Sequence, residues 1–158
     1  MSNPVIVGIS DMNVVRKPDT LVTYALGSCV GICLYDRMSG VAGLSHVLLP
    51  DSTMCPNDKN VMKFADTAVK TLIERMERAG ALRVRLTAKI AGGARLFGSA
   101  EGIQIGERNV SAVKEQLHRF NIPILAEDTG LNYGRTVEFC AEDGAMHVKT
   151  ALKGTKSL

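Results

Sequence analysis

Short apolar runs separated by turn-forming residues fill the first third of the chain, and they limit the folds that it can adopt. The four runs cover residues 4–9, 21–26, 29–35 and 41–49. Their lengths and the Gly, Ser, Asp and Pro residues that bound them are typical of β-strands. The segment Asp36-Arg37-Met38-Ser39-Gly40 supplies a turn between the last two runs. We therefore expect these two runs to pair as an antiparallel hairpin.

Two later segments have the apolar spacing of amphipathic helices. They cover residues 61–79, which Gly80 follows as a stop signal, and residues 107–120. Further strands are expected at residues 82–90, 122–126, 135–141 and 145–152, with a turn at Glu142-Asp143-Gly144. Clustered strands with two inserted helices favour the α+β class over a doubly wound parallel sheet. We expect a β-rich, sandwich-like core with the two main helices packed outside it.

Composition and charge exclude several classes of protein. At 158 residues the chain is expected to fold as one domain over residues 1–158. No stretch has the apolar length of a membrane-spanning helix, and the first ten residues lack the pattern of a secretory signal. We therefore expect a cytoplasmic protein without membrane insertion, whose four cysteines are free thiols. A net charge of +3 with interleaved signs, and the absence of tryptophan, argue against binding to nucleic acid.

The stretch Gly27-Ser28-Cys29 places a thiol directly after a tight turn. A free cysteine can be a small core residue, or a nucleophile if a base lies nearby. Of the three histidines, His46 ends an apolar strand, whereas His118 is expected at a solvated helix end and His147 in an alternating strand. A hairpin that turns near residues 37–39 brings position 29 opposite a position near 46. On this pattern, thiol–imidazole chemistry and a buried cysteine beside a satisfied core histidine both remain open.

Three other motifs offer weaker alternatives. Cys29 and Cys33 have a residue type that binds zinc, but four residues along a strand separate them too far to share one ion. We therefore expect Cys33 in the core, and neither a metal nor an organic cofactor. The segment Ala91-Gly92-Gly93-Ala94 lacks the full spacing of a phosphate loop and favours close backbone packing beside the site. Glu127 and Asp128 are adjacent on a strand, so they point to opposite faces and make a poor acid–base pair.

Several longer motifs resemble those of the CheD family of chemoreceptor glutamine deamidases. They are LGSCVGICLYD (residues 26–36), SHVLLPDS (45–52), KFADTAVKTLIERM (63–76), KIAGGARLF (89–97), IGERNVSAVKEQL (105–117), AEDTG (126–130) and GRTVEF (134–139). The sequence LGSC followed by SHxxLP is the most specific of these features. The chain departs from the family at Gly130-Leu131, where many relatives carry two glycines. Residues 1–19 and the tail after residue 150 are weakly covered.

The resemblance implies an enzyme that deamidates selected glutamines of methyl-accepting chemoreceptors to glutamate. By position in the motifs it implies Cys29 as the nucleophile, His46 as its base and Thr23 as a third polar residue. It also implies a fold similar to the catalytic domain of the cytotoxic necrotising factor toxins. The implied partners are the cytoplasmic helices of chemoreceptors and, in some lineages, the phosphatase CheC.

The turn at Gly27 is expected to aim the backbone N–H groups of Ser28 and Cys29 at the oxyanion that such a reaction forms. The alternative to an enzyme is a binding module that regulates chemoreceptors or a CheC-type phosphatase without turnover. The reactivity of the Cys29 thiol distinguishes the two.

Overall fold

The computed structural model describes residues 3–95 and 104–158 of the chain. Within these ranges it has ten strands and two α-helices. The strands are β1 Pro4–Ile6, β2 Met12–Arg16, β3 Thr20–Leu26, β4 Val30–Asp36, β5 Val41–Val47, β6 Thr87–Gly92, β7 Ile124–Thr129, β8 Arg135–Cys140, β9 Met146–Thr150 and β10 Gly154–Ser157. The helices are α1 Ala65–Arg78 and α2 Ile105–Arg119. The expected α+β class is confirmed.

The strands form two mixed sheets of five strands each. One sheet has the order β1-β3-β8-β9-β10, and the other has the order β2-β5-β4-β6-β7. Apolar residues of both sheets meet in one buried cluster, to which β3 contributes Leu21, β8 Phe139 and β5 Leu44. The opposite face of the second sheet packs against the helices, where Ile32 of β4 joins Leu72 of α1 in a second cluster. The molecule therefore has two stacked sheets, with both helices outside the second one.

Helix α1 buries an apolar stripe at helical spacing against the second sheet. The buried residues are Ala65, Ala68, Val69, Leu72, Ile73 and Met76. Gly43 of β5 lies beneath this stripe, and a Cβ atom there would lie 2.8 Å from the Met76 sulfur. The helix begins four residues later than the predicted residue 61, because the Asn60 side chain accepts the N–H of Met62 and holds a turn there.

The prediction of a strand over residues 82–90 is wrong in its first half. Residues Arg83–Arg85 form a 3-10 turn, and the strand begins at Thr87. The side chains of Leu82 and Val84 are 53% and 92% exposed, although the alternating pattern predicts that they are buried. The cause is Asp36, whose carboxylate accepts hydrogen bonds from the Leu82 N–H and from the Arg85 guanidinium. These bonds hold the segment as a turn against the end of β4.

Two strands were absent from the sequence prediction. Strand β2 pairs antiparallel with β5 at one edge of the second sheet, and only Met12 and Val15 are buried in it. Strand β10 pairs with β9 at the edge of the first sheet, and all four of its residues are exposed. Edge strands such as these bury few side chains, so they carry little of the apolar pattern that predicts a strand.

The remaining predicted elements lie close to their expected positions. The hairpin between residues 29–35 and 41–49 is confirmed as β4 and β5, and the turn at residues 142–144 joins β8 to β9. The polar segment 50–60 is a loop with a 3-10 turn at Ser52–Met54. Neither helix of the described ranges is long and apolar enough to cross a membrane.

Candidate active site

The hairpin of β4 and β5 brings Cys29 and His46 to the same end of one sheet. The register pairs Gly31 directly with His46, and Cys29 lies one residue before β4 begins. Our expectation that position 29 stands directly opposite a position near 46 is therefore off by two residues, because the loop between the strands spans residues 37–40. Cys29 is diagonal to His46, a relation in which Cα atoms of paired strands lie about 7–8 Å apart.

Both residues lie on the sheet face that is covered by the first sheet. Cys29 belongs to the same buried cluster as Cys33 and Leu44, which lie on that face. His46 is fully buried, and Cys29 is only 7% exposed. Directly opposite His46, Gly31 presents no side chain. A Cβ atom at Gly31 would lie 3.1 Å from the Cδ1 atom of Leu26, so the Leu26 side chain packs over this position.

Thr23 of the first sheet connects to His46 of the second. The Thr23 hydroxyl Oγ1 lies 2.7 Å from the imidazole Nδ1 and 2.7 Å from the carbonyl oxygen of Val7. A threonine hydroxyl has one hydrogen, and the Val7 carbonyl can only accept it. The hydroxyl must therefore accept a hydrogen bond from Nδ1–H. This chain of two bonds assigns the Nδ1–H tautomer to His46 and leaves the lone pair on Nε2.

The Nε2 atom of His46 is buried and has no hydrogen-bond partner among the residues that the structure describes. Burial lowers the pKa of His46 from 6.5 to about 4. The imidazole is therefore neutral near pH 7, because few protons are bound three units above the pKa. A buried, neutral imidazole with a free lone pair on Nε2 has the properties of a general base.

The Cys29 thiol is also neutral at rest. Burial raises its pKa above 9.0, and the backbone N–H of the same residue acts in the opposite direction with a smaller effect. The site therefore has a neutral thiol and a neutral imidazole, rather than a preformed thiolate–imidazolium pair. A proton transfer to His46 must accompany any attack by this sulfur.

The segment Ala91-Gly92-Gly93-Ala94 packs directly against the backbone of the cysteine turn. The N–H of Gly93 donates to the Cys29 carbonyl and the N–H of Ala94 donates to the Gly27 carbonyl, each at 2.8 Å. Gly92 has a φ of +111°, and a Cβ atom there would lie 2.2 Å from the Cys29 carbonyl oxygen. The expectation of close backbone packing beside the site is confirmed, and its cause is that a side chain at Gly92 would collide with Cys29.

Cys33, His118 and His147 each have surroundings of their own. Cys33 is fully buried, as predicted, and burial raises the pKa of its thiol. His118 is exposed in the last turn of α2, as predicted. His147 lies in β9, where its Nδ1 atom is 2.7 Å from the Ser157 hydroxyl. Within residues 3–95 and 104–158, no three His, Cys, Asp or Glu side chains are grouped as a metal site would require.

The carboxylates of Glu127 and Asp128 are separated, as predicted for neighbours on a strand. Glu127 is exposed and forms an ion pair with Lys114 at 3.0 Å. Asp128 is buried and forms an ion pair with the fully buried Arg135 at 3.1 Å. Each carboxylate therefore has a partner of its own.

Asn109 is a candidate that the sequence analysis missed. It is fully buried on α2, and its Nδ2 group donates to the carbonyls of Ser28 at 2.9 Å and Leu48 at 3.0 Å. Both acceptors belong to the backbone, so no residue type in either segment identifies them. A buried polar residue within the first turns of an amphipathic helix was the one available signal.

Comparison with known proteins identifies the family. The family profile described as CheD chemotactic sensory transduction matches residues 48–150. A relative from Lachnoclostridium phytofermentans is 49% identical over the whole of both chains. One from Caldanaerobacter subterraneus subsp. tengcongensis is 52% identical over 95% of this chain and 94% of its own. One from Clostridium novyi is 46% identical over 96% of both chains.

All three relatives are named probable chemoreceptor glutamine deamidase CheD. Their alignments cover nearly all of this chain, and the family profile covers more than half of it. The chain therefore belongs to the CheD family.

Proposed function

We propose that this protein is a protein-glutamine deamidase that converts selected glutamines of methyl-accepting chemoreceptors to glutamate in chemotaxis. The observation that carries the proposal is the hydrogen-bond chain from Val7 through Thr23 to His46, which leaves Nε2 free at the end of the hairpin where Cys29 lies. Family membership and the names of the full-length relatives supply the substrate class.

The reaction is an acyl transfer to water through a thioester. His46 Nε2 takes the proton of the Cys29 thiol as the sulfur attacks the carboxamide carbon of the glutamine. The resulting imidazolium donates a proton to the amide nitrogen, and ammonia leaves as the carbon–nitrogen bond breaks. A water molecule, deprotonated by the neutral His46, then attacks the thioester. The thiol is released and the product is glutamate.

Thr23 has a specific part in this cycle. When His46 is protonated at Nε2, the Nδ1–H bond to the Thr23 hydroxyl becomes a charge-assisted hydrogen bond, which is stronger than the neutral one. The hydroxyl therefore stabilises the imidazolium and holds the ring in the orientation that the thiol requires. This is the role of the third residue in a catalytic triad.

The N–H groups of the turn supply the donors for the oxyanion. The carbonyls of Gly27 and Cys29 are fixed by Ala94 and Gly93, so the turn has a defined geometry. The N–H of Cys29 belongs to the same residue as the attacking sulfur, so it lies close to the carbon that the sulfur attacks. Removing one such donor typically lowers the rate by about 100- to 1,000-fold.

From the motif resemblance we further propose the remaining properties of the protein. It is a single deamidase domain over residues 1–158, acts in the cytoplasm on the cytoplasmic helices of receptors, and needs no metal or organic cofactor. A CheC-type phosphatase is a second partner, and the fold is similar to the catalytic domain of the cytotoxic necrotising factor toxins.

The test uses purified chemoreceptor from the same organism and maps glutamine-to-glutamate conversion by mass spectrometry. The wild-type protein should convert specific glutamines, and Cys29→Ala should convert none. Cys140→Ala is the matched control, since this half-buried cysteine lies in β8, and it should retain activity. Conversion that persists in Cys29→Ala would refute the nucleophile assignment. A wild-type protein that binds receptor without any conversion would instead support the binding module.

A further inference from the structure

Three consecutive carbonyls of the cysteine turn each accept a hydrogen bond. Gly27 and Cys29 accept from the backbone N–H groups of Ala94 and Gly93 at 2.8 Å. The Ser28 carbonyl, between them, accepts from the side chain of Asn109 at 2.9 Å. Asn109 is thus the one side chain among these three donors, and it holds the peptide that joins Ser28 to the nucleophile.

The same amide group also holds the strand that carries His46. Its second hydrogen bond reaches the carbonyl of Leu48, at 3.0 Å and two residues beyond His46. The first turn of α2 is itself fixed, because Gly106 packs against Gly93 and Ala94. A Cβ atom at Gly106 would lie 2.6 Å from the carbonyl oxygen of either residue. Asn109 therefore projects from a fixed helix end and joins the two segments that carry the proposed nucleophile and base.

The planarity of the peptide bond gives this contact a chemical consequence. In a trans peptide the C=O and the following N–H point in opposite directions. Fixing the Ser28 carbonyl on Asn109 therefore fixes the direction of the Cys29 N–H. We propose that Asn109 is a positioning residue that orients the Cys29 N–H as an oxyanion donor, an inference that rests on the proposed deamidase function.

The residue type fits this role. A neutral amide nitrogen has two hydrogens and can donate to two carbonyls at once, whereas an aspartate of the same shape has none to donate at neutral pH. The Oδ1 atom of Asn109 is buried and has no hydrogen-bond partner within the described ranges. Leaving a buried acceptor unpaired is destabilising, which reduces what the two hydrogen bonds of Asn109 add to stability.

The test compares two reactions of Cys29 in Asn109→Ala. Attack on a glutamine carbonyl forms an oxyanion, whereas alkylation by iodoacetamide displaces iodide at a saturated carbon and forms none. We expect kcat for deamidation to fall by about 100-fold, since a displacement of about 1 Å has an effect of this size. The KM and the alkylation rate of Cys29, followed by peptide mass mapping, should stay within threefold of wild type.

Two further variants keep the result interpretable. Asn109→Asp retains the shape of the side chain and should lose kcat to a similar extent, so it replaces the alanine variant if that one does not fold. Val113 lies one turn further along α2, is buried in the cluster that contains Ile32 and Leu72, and has no side-chain atom that can form a hydrogen bond. Val113→Ala should therefore retain kcat despite a lower Tm.

Three outcomes would overturn the inference. In the first, the wild-type protein deamidates its substrate and both Asn109 variants have an unchanged kcat. This result would refute the role of Asn109 but not the proposed function. The second is an equal loss of kcat and of alkylation, which indicates a merely structural role. The third is a wild-type protein without deamidation, which removes the proposed function together with the inference.

Discussion

Replacing Thr23 with valine removes one hydroxyl from the hydrogen-bond chain that ends at His46. The variant keeps the size and shape of the side chain, but the Nδ1–H of His46 and the carbonyl of Val7 both lose their partner. The tautomer of His46 is then no longer fixed, and the imidazolium formed in the reaction loses a charge-assisted bond. We expect a lower kcat with little change in KM.

The magnitude follows from the two states of the Nδ1–H bond. A hydrogen bond to a charged group contributes about 1.5–3 kcal/mol and a neutral one about 0.5–1.5 kcal/mol. The difference, about 1–2 kcal/mol, is lost in the transition state and lowers the rate by about 5- to 30-fold. Loss of tautomer control adds a factor of a few, so we expect a total loss of about 10- to 100-fold. The unpaired Val7 carbonyl should also lower the free energy of unfolding by about 1–3 kcal/mol.

The assay measures kcat and KM for conversion of receptor glutamines at pH 7, with Thr23→Ser as the matched control that retains the hydroxyl. Nitrogen-15 NMR of the imidazole reports the tautomer directly and should detect Nδ1–H in the wild type. A kcat of Thr23→Val within twofold of wild type would refute the reasoning. A wild-type spectrum of the Nε2–H tautomer would refute it as well.

Two further predictions concern pH and the backbone beside the site. Since the pKa of His46 is about 4 when folded and about 6.5 when unfolded, the unfolded chain binds the extra proton between these values. Stability should therefore fall by about 3 kcal/mol as the pH drops from 6.5 to 4, measured by urea unfolding. His46→Gln should abolish this part of the dependence, while His118→Gln should preserve it. Gly92→Ala should lower stability by more than about 2 kcal/mol and displace Cys29. Gly130→Ala, which has a positive φ but no neighbouring atom of the described residues within 4 Å, should cost about 1 kcal/mol. Equal thermal shifts in the two variants would contradict the predicted collision at Gly92.

The sequence predicts local structure well where the cause of that structure is local. The hairpin of β4 and β5 follows from two apolar runs and the turn at residues 36–40, which lie within twenty residues of one another. The segment after Leu82 is mispredicted because its conformation depends on Asp36, which is 46 residues away in the chain. A periodic pattern contains no information about such a distant carboxylate.

The candidate site likewise contains residues whose positions the sequence predicts and residues whose positions it does not. The hairpin alone indicates that Cys29 and His46 lie near one another, although not their diagonal register. Thr23 came from the family resemblance, because its contact with His46 joins two different sheets. Asn109 was missed, since its acceptors are backbone carbonyls that every residue possesses, and only its place on α2 could have indicated it.

The depth of Cys29 sets a condition on the side chain that reaches it. Only 7% of this residue is accessible, and its turn is held by bonds to a neighbouring strand end and a helix. The backbone that carries the sulfur is therefore held in place, and in the proposed reaction the substrate carboxamide has to reach inward to it. Glutamine has one methylene more than asparagine, so its carboxamide reaches further from the backbone, and the proposed deamidase should therefore favour glutamine over asparagine.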